Sequence, residues 1–176
     1  PAGTVRLWDQ LVRACHWSLA IAFFANCFFT EEGEDWHQWL GYWAAGAALL
    51  RIGWGFVAGG AAAWSDCAPT PARLRAWFRE LRAGGAPHRL GHSPPGALVM
   101  MLMLGAMLTL GVSGFLMEEV DYFWGDERVE AVHGYTADAL AVLVCLHLLA
   151  ALAESIRLRE NLPLSMLTGR RRLPRS

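Results

Sequence analysis

Residues 131–155 read AVHGYTADALAVLVCLHLLAALAES. Before Glu154 the run holds a single charged residue, Asp138, and its length exceeds the ~20 residues an α-helix needs to cross a bilayer core. Two histidines sit in it, His133 and His147, fourteen positions apart. At ~100° per residue that separation falls ~40° short of four turns, so both rings leave the helix on nearly one face, ~21 Å apart along its axis. Ionisable groups inside a bilayer are costly and mark function by default.

Three further apolar segments precede this one, over residues 11–30, 36–58 and 96–117. A soluble bundle of such helices would need polar faces at helical spacing. The third segment has none, since only Thr109 and Ser113 are polar between Ala97 and Leu116. With 176 residues and 55% hydrophobic content, the chain reads as one all-α domain over 1–176, a bundle of four transmembrane helices. No cleavable signal peptide is expected, because the first apolar segment is as long as the others and lacks a small-residue cleavage site. Nucleic acid is not expected as a partner.

Charge sets the orientation. All fifteen basic residues are arginine, and thirteen of them stand before or at the start of the first segment, between the second and third, or after the fourth. Only Arg51, inside the second segment, and Arg128 depart from this. By the positive-inside rule both termini and the central loop are cytoplasmic. Ten of the sixteen acids fall in the two opposite loops, among them Glu31, Glu32, Glu34, Asp35, Glu118, Glu119 and Asp121. They read either as loop solvation or as a docking patch for a basic partner. In the central loop, Leu74, Trp77, Phe78 and Leu81 recur at helical spacing among four arginines. That pattern predicts a short amphipathic helix over 71–83, lying in the membrane surface.

Topology then pairs the histidines. The first segment runs outward, so His16 at its start shares the inner level with His147. The second begins outside, so His37 shares the outer level with His133. A structural zinc wants four ligands and a catalytic one three, and neither pair has an evident third. Haem iron needs only axial ligands, and a bundle core accommodates a flat cofactor. Two haem b groups, each held by two histidines, are therefore expected. They are non-covalent, because Cys15, Cys27, Cys67 and Cys145 form no C-x-x-C-H attachment site; each cysteine reads as a small buried residue. Arg51, fourteen residues after His37, reads as a propionate partner of the inner haem or as a snorkelling side chain. Arg13, near His16, reads similarly. His88 and His92 read as solvated loop residues or surface contacts.

Several stretches carry a family resemblance: Val5-Arg6-Leu7-Trp8-Asp9, Arg13-Ala14-Cys15-His16-Trp17, His37-Gln38-Trp39-Leu40-Gly41-Tyr42 and Arg51-Ile52-Gly53-Trp54-Gly55-Phe56. Gly91-His92-Ser93-Pro94-Pro95-Gly96, the pair His133 and His147, Glu160-Asn161-Leu162 and Thr168-Gly169-Arg170 add to them. Over nearly its whole length the chain resembles the bacterial cytochrome b561 group of dihaem membrane cytochromes. The resemblance implies that His16, His37, His133 and His147 ligate two b haems. It also implies a multi-pass protein of the bacterial inner (cytoplasmic) membrane that takes electrons from quinol and exchanges them with a periplasmic partner such as a c-type cytochrome. Asp138 departs from the pattern, which leads one to expect Asn or another neutral residue there.

Electron transfer is thus the leading expectation, with quinol oxidoreductase chemistry left open. The alternative is a haem-bearing membrane-anchor subunit of a larger respiratory oxidoreductase, hydrogenase-like or a periplasmic dehydrogenase, which would purify with stoichiometric partner subunits. A third class, a metal transporter using membrane histidines, is separated by the absence of a Soret band.

Overall fold

Polar residues at the segment ends decide where the helices start. Asp9 accepts the backbone N–H of Val12 at 2.8 Å and opens α1, Gln10–Phe28. Helix α2 covers Asp35–Val57. A single turn, α3 (Trp64–Cys67), precedes α4 (Pro71–Arg82), whose first turn is capped by the Thr70 hydroxyl and begun by Pro71. Proline is suited to a first helical turn because its missing N–H is not needed there. Ser93 accepts from the Gly96 N–H at the start of α5, Pro94–Glu119. Asp126 accepts from Arg128 and Val129 at the start of α6, Glu127–Leu158. Asn161 caps α7, Leu162–Thr168. The structure, a computed structural model, describes residues 3–85 and 91–172. His88 lies outside them, as do Arg89 and Arg175.

Helix α6 begins four residues before the expected 131, because its first turn is charged and capped rather than apolar. Two short strands are an addition to the all-α expectation. Thr4–Arg6 (β1) pairs antiparallel with Arg170–Arg172 (β2), in the register Val5 to Arg171. Three-residue strands carry too little alternation to be read from sequence.

Among the described residues, three helices are long and apolar enough to cross a membrane: α1, α5 and α6. Helix α2 has the length, and within it only Arg51 is charged beyond the Asp35 of its first turn. Apolar side chains on these helices face outward, including Ile21, Leu49, Val112, Val142 and Leu149. So much exposed apolar surface calls for lipid as its solvent. Cys27 and Cys145 are exposed among these side chains, unlike the buried Cys15 and Cys67, which corrects the expectation that all four are buried.

The described residues form two compact units. The first gathers residues 1–13, 54–101 and 146–176, that is, the start of α1, the end of α2, the start of α5 and the end of α6. The Trp8 indole donates to the Ser165 hydroxyl at 3.3 Å, and the Trp54 indole to the Asp9 carboxylate at 3.0 Å. Arg171, 4% exposed, meets Glu160 at 2.9 Å, and Glu160 also accepts the Arg172 N–H at 2.7 Å. Gly169 has φ +75°, and a β-carbon there would lie 2.9 Å from the Trp8 carbonyl. The second unit gathers residues 14–53 and 102–145: the end of α1, the start of α2, the end of α5 and the start of α6. In it Gly111 lets α5 approach α2 closely, since a β-carbon would lie 2.5 Å from that of Ala45.

Candidate functional site

His37 stands in the first turn of α2 and His133 in the second turn of α6. Both are half-buried in the second unit. Their ring centroids are 6.3 Å apart and their planes 53° inclined. One metal ion bonded to both rings permits a spacing of up to roughly 6.3 Å, from two bonds of about 2.0–2.1 Å and about 1.1 Å from each nitrogen to its ring centre. The Nδ1 of His133 lies 2.8 Å from the hydroxyl of Ser113, itself only 4% exposed. The Nδ1 of His37 lies 3.3 Å from the hydroxyl of Thr30. Gly114 leaves room beside His133, where a β-carbon would come to 3.5 Å from Cε1.

Among the described residues no group of three or more His, Cys, Asp and Glu could hold a metal ion. The described residues therefore form no zinc centre of three or four protein ligands. Two facing imidazoles fit a metal whose other ligands come from a macrocycle, and haem is such a group.

The other candidates have distinct surroundings. His16, half-buried in α1, has Trp17 edge-on at 5.2 Å. His147 is half-buried in α6. Arg51 in α2 is 4% exposed, so it does not reach out to an aqueous surface within its unit. Arg13 is engaged elsewhere: its guanidinium donates to the carbonyl of Met166, at 3.1 Å, and to that of Leu167. It thereby holds the last turn of α7. His92 packs against Trp8, with ring centroids 4.8 Å apart. Asp138 is exposed on α6. Ser113 and Thr30 were not among the residues read from sequence as part of the site. Ser113 stood out only as one of two polar residues in the third segment, and nothing signalled Thr30.

No curated protein and no solved structure matches this chain. The model of one family, prokaryotic cytochrome b561, matches residues 7–169, a span that takes in all four helical histidines and both polar ends of the bundle. The chain therefore belongs to the prokaryotic cytochrome b561 family, membrane proteins that transfer electrons through haem b.

Proposed function

We propose that the chain holds two b haems, the outer one with His37 and His133 as its ligands and the inner one with His16 and His147, and passes electrons between membrane quinol and a periplasmic redox protein. The observation that carries this reading is the 6.3 Å spacing of the His37 and His133 rings on two different helices. When bound, haem supplies the one-electron chemistry. The protein supplies axial nitrogens, an apolar surrounding and fixed charges such as Arg51.

Four crossings, with α2 as the fourth, are supported by the strand pair. The hydrogen bonding of β1 to β2 favours both strands lying on one side of the membrane, and with it an even number of crossings. Three helices cross by composition alone, and α2 makes the number even. The arginine distribution puts that side in the cytoplasm, in keeping with a bacterial inner-membrane location.

The test is a pyridine haemochrome count on the purified chain. Two non-covalent b haems per chain are expected in the wild type. His37→Ala and His133→Ala each remove one haem, His16→Ala and His147→Ala remove the other, and His92→Ala removes neither. A wild-type count of one haem, or covalently attached haem, contradicts the reading.

A further inference from the structure

Both rings of the His37 and His133 pair meet a hydroxyl at Nδ1, and on each hydroxyl the single hydrogen has another acceptor. Ser113 Oγ lies 2.8 Å from the Thr109 carbonyl and 3.2 Å from that of Leu110. The first is the back-bond that serine makes to the preceding turn of its own helix. Thr30 Oγ1 lies 3.2 Å from the Asn26 carbonyl and 3.4 Å from the Asn26 side-chain oxygen. Asn26 is held in turn, its amide donating to the His37 carbonyl at 3.1 Å.

A hydroxyl has one donor and two acceptor lone pairs. With its hydrogen on a backbone carbonyl, it can face an imidazole only as an acceptor. The imidazole must then donate from Nδ1, and a neutral ring protonated at Nδ1 has its free lone pair on Nε2. The two hydroxyls, one on α5 and one in the loop after α1, impose the same tautomer on both rings.

We infer that Ser113 and Thr30 are positioning residues for the outer haem: each holds its histidine in the Nδ1–H form, fixes the ring's orientation and raises its basicity. The inference rests on the proposed haem between His37 and His133. A more basic axial ligand stabilises the ferric state, so the two hydroxyls hold the outer potential down. Ser113, being buried and nearer, has the larger effect.

The experiment is a redox titration with low-spin EPR on the purified full-length chain. Ser113→Ala should raise the outer haem's potential by about the equivalent of a tenfold change in its reduction equilibrium, 59 mV. It should also shift that haem's largest g value and leave the inner haem unmoved, while Ser113→Thr restores both. Thr30→Val shifts the potential in the same direction by less, and Thr30→Ser restores it. Should Ser113→Ala release the outer haem, the inner haem reports whether the bundle is intact, and Ser113→Cys, a weaker acceptor, reads the same shift. A wild-type outer potential and EPR spectrum in either variant overturns the inference. Retention of both haems by His37→Ala or His133→Ala overturns the underlying haem reading instead, so the two failures are distinguishable.

Discussion

Arg51 is a charged side chain in an apolar helix, yet it is 4% exposed. An arginine so placed needs an anion or a set of acceptors, because an uncompensated buried charge costs several kcal/mol, on the order of the penalty for breaking a buried ion pair. If its partner is a propionate of the inner haem, one of the two readings its sequence position offers, the cation stabilises the more negative reduced state. Arg51→Leu then lowers the inner potential by the equivalent of roughly a tenfold change in equilibrium, about 59 mV. The outer haem keeps its potential. Redox titration of the variant checks this, and an unchanged inner potential returns Arg51 to a packing role. The histidines and Arg51 could be singled out from sequence because such residue types are rare inside apolar segments. The hydroxyls of Ser113 and Thr30 could not, because each is already satisfied by a carbonyl four residues earlier in its own segment. Only coordinates reveal which second partner its oxygen meets. The same holds for Arg13, whose guanidinium donates to the carbonyls of α7, a contact that its position near His16 in sequence does not signal.

Helix contacts put the site residues within reach of one another, and glycine sets one of them. In the second unit, α2 carries His37 and α5 carries Ser113, and the two helices come close where Gly111 faces Ala45. Gly111→Val places side-chain atoms where 2.5 Å separates a bare β-carbon from that of Ala45, so the two helices must part. The outer haem is expected to be lost first, with a lower thermal midpoint in detergent. Gly105 on the same helix has open space around it. Gly105→Ala should therefore be neutral or stabilising, by up to about 1 kcal/mol from helix propensity. Equal behaviour of the two variants in haem count and melting would contradict the close-contact role. The long helices and α4 were legible because hydropathy and helical periodicity report directly on apolar faces. The clasp of β1, β2, Glu160 and Arg171 was not. Its residues lie at opposite ends of the chain, and Glu160 and Arg171 read as ordinary loop charges until their 2.9 Å contact is seen.

Across the whole molecule, acidic charge is concentrated in two loops, where only Arg128 stands among ten acids. Some of these acids have structural duties: Asp126 caps α6, and Glu34 accepts the Glu31 N–H. Glu118, Glu119 and Asp121 are exposed, and neither ion pair among the described residues involves them. Orientation does not require such clustering, since acids contribute little to the positive-inside rule. The proposed outer haem lies between His37 and His133, near the starts of α2 and α6, so a carrier arriving at these loops comes close to it. A basic periplasmic carrier would be drawn there, and opposite charge raises the rate of encounter more than the final affinity. That attraction is screened over about 8 Å at physiological salt, so the bimolecular rate of electron exchange should fall steeply as ionic strength rises. Replacing Glu118, Glu119 and Asp121 together by Gln, Gln and Asn should flatten the salt dependence and slow exchange at low salt, leaving both haem potentials in place. Stopped-flow kinetics with a basic c-type cytochrome over a salt series makes the measurement. A flat wild-type series, or a triple variant with the wild-type slope, would mean that these carboxylates only solvate the loops.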